Sequence, residues 1–108
     1  MNIANAWAVL GKDWDAIVRD LQAMPDSASR VQAAEQLLIQ ARKAAQRLMA
    51  LHHPDRNPSD PEATKRFQGV GAALAAIESH TQSFKDNYAA MMARADQRRE
   101  TDGFIILK

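Results

Sequence analysis

The sequence predicts an all-α fold, a small helical domain built on an antiparallel two-helix hairpin with flanking helices. Three observations predict it. Apolar residues recur at helical spacing on both sides of one proline-rich break, alanine is abundant throughout, and 108 residues with 46% hydrophobic content suffice for one modest core but not two. The break is His52-His53-Pro54-Asp55-Arg56-Asn57-Pro58-Ser59-Asp60-Pro61-Glu62, with three of the four prolines. Pro54 disfavours the helical conformation at His53 and supplies no N–H, so the preceding helix is expected to end near His52.

Taken in order, Ala6-Trp7-Ala8-Val9-Leu10-Gly11 reads as a short helix closed by Gly11. Asp13 is an N-cap candidate for a second helix, in which Trp14, Ile17, Val18, Leu21 and Met24 share a face until Pro25. Ser27 or Ser29 offers the next cap. From there to His52 nothing interrupts a helix, and Leu37, Ala41, Ala44, Leu48 and Leu51 form its expected apolar stripe. Arg42, Lys43, Gln46 and Arg47 form a polar, basic face close to the break.

After the break, Asp60 as N-cap, Pro61 at the first helical position and Glu62 in the first turn start another helix. Phe67, Val70, Leu74 and Ile77 would pack it against the first arm. Gly69 and Gly71 inside it suggest either close approach of another backbone or fraying. Beyond Ser79 the helix runs on or a new one starts near Ser83. The reading is a single domain over 1–108, with the core hairpin at about 28–78, an extra or displaced helix at 12–26, and a tail at 101–108 whose role is open. In that tail Phe104, Ile105, Ile106 and Leu107 follow a turn and have high β preference. They could dock on the bundle, pair with another chain, or continue into a larger protein.

Charge adds detail. Fourteen basic and thirteen acidic residues give a net charge of +1, which favours neither nucleic acid nor a membrane surface. Locally, Lys12 to Asp26 carries −2 and Arg42 to Arg56 carries +3. The acidic segment is therefore expected to lie near the basic face and compete with whatever binds there. Cysteine is absent, which removes disulfides and thiolate metal sites. With no secretory signal or apolar run long enough to span a bilayer, the expected location is intracellular, in the cytoplasm.

Arg42-Lys43-Ala44, Arg47-Leu48, His53-Pro54-Asp55-Arg56-Asn57-Pro58, Asp60-Pro61-Glu62-Ala63, Phe67, Val70, Ala73 and Ile77 together resemble the J domain of DnaJ-type co-chaperones. Ala6 to Gly11 is similar to that family's opening segment. The resemblance implies a helical hairpin with the His-Pro-Asp tripeptide at its tip, and a partner in an ATP-loaded DnaK-type (heat shock protein 70) chaperone whose ATP hydrolysis it stimulates. Carried over by position, His53, Pro54 and Asp55 would be the signature. Arg42, Lys43, Gln46, Arg47, Arg56 and Asn57 would complete the partner-binding set. The sequence departs from the family at Ala45, where a partner-facing aromatic is usual, at Gln46 and at His52, and Gly11 lies about twice the usual distance from His53.

Other chemistry is weaker. His52, His53, Asp55 and His80 lack the spacing of a metal site, so no metal is expected, and His80 reads as a polar helix-end residue. No phosphate loop, nucleophile set or dinucleotide fingerprint is present, so neither enzyme activity nor a cofactor is expected. The rival readings are an adaptor that has lost stimulation and binds a further protein through Phe104 to Leu107, and a nucleic-acid module using Arg42, Lys43, Arg47, Arg56, Arg94, Arg98 and Arg99.

Overall fold

The computed structural model describes the backbone of residues 1–107 and the side chains of residues 1–91 and 93. Its four helices are α1 (Ile3–Val9), α2 (Trp14–Gln22), α3 (Ser27–Leu51) and α4 (Pro61–Leu107). The fold is all-α, and α3 and α4 form the antiparallel hairpin. Helix α1 packs against α4, and α2 bridges α1 and α3.

Local chemistry sets most of the boundaries. The Asn2 side chain caps α1, accepting the Asn5 amide at 2.8 Å, so this helix starts three residues earlier than its apolar segment. Gly11 ends it at φ 84°, with the Gly11 amide donating to the Ala8 carbonyl and the Lys12 amide to the Trp7 carbonyl, both at 3.0 Å. This paired closure needs a left-handed residue, which glycine adopts without a side-chain clash. Asp13 caps α2 as expected. Asp26, rather than Ser27 or Ser29, caps α3, accepting the Ser29 amide at 2.7 Å. A carboxylate satisfies that amide and also complements the positive end of the helix, which a hydroxyl cannot do.

The core joins Ala6, Trp7 and Leu10 of α1, Ile17 of α2, Ala41 and Ala45 of α3, and Val70, Ala73 and Ile77 of α4. Alanines at the seam allow α3 and α4 to approach closely, since interaxial distance follows side-chain size at the contact. Here the expected stripe on α3 is corrected. Ala45 is fully buried whereas Leu51 is 60% exposed. At 100° per residue these positions lie roughly 120° apart, so the buried face is centred nearer Ala41 and Ala45 than a Leu37–Leu51 line would place it. Ala45 therefore points into the core and cannot stand for a partner-facing aromatic.

Helix α4 runs unbroken for 47 residues. No new helix starts near Ser83, and the turn and β-prone run expected at 101–107 are instead helical backbone. Extending an established helix adds one hydrogen bond per residue, which outweighs a modest local β preference. The hairpin accordingly reaches beyond the expected 28–78. A Cβ on Gly69 would meet nothing within 4 Å, and one on Gly71 only the Met49 Cε at 3.9 Å, so no close backbone contact explains either glycine.

Helix α2 lies along α3, where Ile17, Asp20 and Leu21 share a groove with Ala33, Gln36, Leu37 and Gln40, while Arg42 lines another groove with Glu35, Glu78 and Lys85. Among the described residues no ion pair joins α2 to the basic face. Ile17 is the reason: burying the apolar stripe of α2 fixes its position more strongly than exposed charges can.

Candidate functional site at the hairpin tip

The loop between α3 and α4 is built from backbone and side-chain hydrogen bonds rather than from a core. Helix α3 stops at Leu51, with His52 as its C-cap. The Arg56 amide then donates to the His53 carbonyl at 3.0 Å, closing a turn with Pro54 in its second position, where the fixed φ of proline fits. The Asn57 amide donates to the carbonyls of His53 and Pro54, both at 3.2 Å. A second layer of bonds comes from the Asn57 side chain, which donates to the Leu51 carbonyl at 3.0 Å and the His53 carbonyl at 3.1 Å. Asn57 thus satisfies an orphan carbonyl at the end of α3 and locks the turn to it. Asp60 completes the loop, accepting the Glu62 amide at 3.0 Å as N-cap of α4.

His53 and Asp55 hold different positions within this frame. The His53 ring is half-buried and meets Phe67 of α4 edge to face, with centroids 5.2 Å apart and planes at 80°. Aromatic pairs in this geometry contribute about 0.5–1.5 kcal/mol beyond their buried area. His53 Nδ1 accepts the Asp55 amide at 3.1 Å and lies 3.7 Å from Asp55 Oδ2. The first contact requires an unprotonated Nδ1 and the second becomes an ion pair only when the ring is charged, so they belong to different protonation states. The neutral ring holds the Asp55 backbone through its amide, and the charged ring faces the Asp55 carboxylate instead. The Asp55 side chain itself is 93% exposed.

The basic face adjoins the loop. Lys43, Gln46 and Arg47 are exposed on α3, and Arg56 is exposed beside the turn. Arg42 is also exposed but pairs with Glu78 across the hairpin, Nε to Oε1 at 3.2 Å. Exposed pairs of this kind contribute little, so Arg42 can exchange Glu78 for another carboxylate at small cost. The structure thus brings His53, Pro54, Asp55, Arg56 and Asn57 into one braced turn, with Arg42, Lys43, Gln46 and Arg47 along the arm leading to it.

His80 is elsewhere. It lies 19 residues along α4 from Pro61, roughly 28 Å at 1.5 Å per residue, and meets the Trp14 ring edge-on at 5.3 Å. It is a mid-helix residue, not a helix end. Among the described residues no group of three or more His, Cys, Asp or Glu side chains could hold a metal ion, and no helix is long and apolar enough to cross a membrane. The side chains of Phe104, Ile105, Ile106 and Leu107, and of Arg94, Arg98 and Arg99, lie outside the described residues. Sequence reasoning missed the bracing by Asn57 and the exposed Leu51. An asparagine between a turn and a proline signals the first, whereas nothing local signals the second.

The fold and the loop together define a small all-α domain with an ordered turn at the tip of a helical hairpin. Comparison with known proteins makes this more specific. The chain is 37% identical over 83 residues to DnaJ homolog subfamily B member 11 of Canis lupus familiaris, covering 75% of this chain and 20% of that protein. Its similarity to the proteins of that name from Homo sapiens and Mus musculus is 46% identity over 48 residues, 43% of this chain and 13% of theirs. No family model matches the chain, and no solved structure matches it significantly. The chain therefore has a J-domain-like relation to these DnaJ homologues over part of its length, and spans only 20% of the first of them.

Proposed function

We propose that this chain is a co-chaperone module that binds a DnaK-type (heat shock protein 70) chaperone and stimulates its ATP hydrolysis through the His53-Pro54-Asp55 loop. The observation that carries this reading is the combination at Asp55 of a 93% exposed carboxylate with a backbone held by His53 Nδ1 and by the turn that Asn57 braces. A fixed turn binds without a large ordering penalty. The basic face of Lys43, Arg47 and Arg56, with Arg42 released from Glu78, would steer the module onto an acidic surface. The Asp55 carboxylate would then compete for an arginine on the partner and shift its conformational equilibrium. In this account Asn57 acts by bracing the turn, Gln46 contacts the partner as a neutral neighbour of the cations, and the module performs no chemistry of its own.

Single-turnover ATP hydrolysis by a DnaK-type chaperone tests the proposal, with the unaltered chain compared against Asp55→Asn and His53→Gln. Stimulation by the first and its loss in both variants is expected. Failure of the folded, unaltered chain to stimulate would leave the adaptor reading. One observation favours that reading: the face bearing Arg47 also exposes Leu51, an apolar contact suited to a persistent partner. The basic residues also permit phosphate contacts. Binding to duplex DNA that falls steeply with salt, without dependence on a chaperone's nucleotide state, would identify a nucleic-acid module instead.

A further inference from the structure

Away from the loop, where α2 meets the start of α3 and the middle of α4, lies a cavity of about 240 Å³. Its wall is largely apolar, with both tryptophans of the chain, Trp7 and Trp14, together with Leu37 and Phe84. Among the described residues, Arg30 is the one permanent charge in the lining, His80 also lines it, and no carboxylate does. The Arg30 Nη2 donates to the carbonyls of Gln22 at 3.4 Å and Met24 at 3.2 Å, which anchors the guanidinium at the end of α2. Its Nε is buried and has no hydrogen-bond partner among the described residues. Asp26 is close enough for Arg30 to lower its pKa, but that carboxylate accepts the Ser29 amide and forms no ion pair with Arg30.

A guanidinium on a largely apolar wall with no carboxylate beside it in the lining favours an anionic partner. An apolar cavity of about 150 Å³ already accommodates benzene, so this one has room for a larger hydrophobic group. We infer that the cavity binds a small amphiphile with an apolar tail and a carboxylate head, the tail lying between the tryptophans and Phe84 and the head accepting from Arg30. The carboxylate supplies the counter-charge that the lining lacks for the Arg30 guanidinium, and a low-polarity wall strengthens that contact. The site is separate from the hairpin tip, so it stands whether or not the loop acts on a chaperone.

Because the chain's two tryptophans both line the cavity, their fluorescence reports occupancy directly. The full chain is titrated with decanoate, decanol and decylammonium below their aggregation limits. Saturable binding of decanoate at least tenfold tighter than of decanol is expected, with decylammonium weakest. Arg30→Gln should erase the preference for decanoate, and Ala34→Leu, which fills the wall while keeping the Arg30 charge, should abolish binding of all three. No saturable change, or decanol binding as tightly as decanoate, overturns the inference. If Arg30→Gln proves unfolded by circular dichroism, the order of the three probes on the unaltered chain decides, and decylammonium binding as tightly as decanoate overturns it.

Discussion

Asp55 and His53 divide the task of the loop between exposure and support. Because Asp55 is 93% exposed and its only ion-pair partner among the described residues is His53 at 3.7 Å, Asp55→Asn should leave the thermal midpoint within about 2–4 °C, as expected for a surface change. The same variant should lose stimulation of ATP hydrolysis. A large fall in stability would assign Asp55 a structural role and remove it from the proposed contact. Asn57→Ala should behave in the opposite way: it removes two bonds to backbone carbonyls, so a loss of about 1–3 kcal/mol in denaturant unfolding is expected. Asp26 offers a check by pH. The Ser29 backbone and side-chain hydrogen bonds, with a smaller contribution from Arg30, hold its carboxyl below the usual 3.8. A carboxyl depressed in the folded state stabilises the fold above its unfolded value. That stability is lost as pH falls through the lower folded value, so melting curves from pH 5 downward should drop less steeply in Asp26→Asn than in the unaltered chain.

Among the elements, the two arms of the hairpin depend on different residues than a simple apolar stripe suggests. Ile77 is fully buried between the helices, and Ile77→Ala should cost about 2–5 kcal/mol in chemical denaturation. Leu48 and Phe67 are only half-buried, so their alanine variants belong at the lower end of that range or beneath it. Gly69→Ala should have the opposite sign. Nothing lies within 4 Å of the added methyl, and alanine in a helix interior is favoured over glycine by about 1 kcal/mol, so a higher denaturation midpoint is expected. A lower one would show that α4 needs its glycine to bend or open.

At the scale of the whole molecule, the core is gathered at one end of a long helix. Among the described residues, every member of the buried cluster lies between Ala6 and Ile77, and α1 packs on α4. Truncation after Ala93 should therefore leave the cooperative unfolding transition in place. Removal of residues 1–10, which supply Ala6, Trp7 and Leu10, should abolish it in calorimetry. Helix α2 contributes one buried residue, Ile17, and closes the cavity beside Arg30. Among the described residues its acidic side chains form no ion pair with Lys43 or Arg47.

The sequence alone determined where the helices break and what stands at the break. Pro54, Pro61, Gly11, Asp13 and Asp60 act through covalent geometry and hydrogen bonds reaching at most a few residues, so their effects are legible without knowing the rest of the fold. The His53–Asn57 turn and the exposure of Lys43 and Arg47 followed from the same local rules. Only the tertiary structure decided that Ala45 is inside and Leu51 outside, that α4 continues past Ser83, that His53 leans on Phe67, and that α2 encloses Arg30 with two tryptophans. Each of these depends on which surfaces meet across the chain. Burial is set by the summed packing of distant residues, and a helix with alanine on several faces can turn its seam by roughly a third of a revolution without any local signal changing.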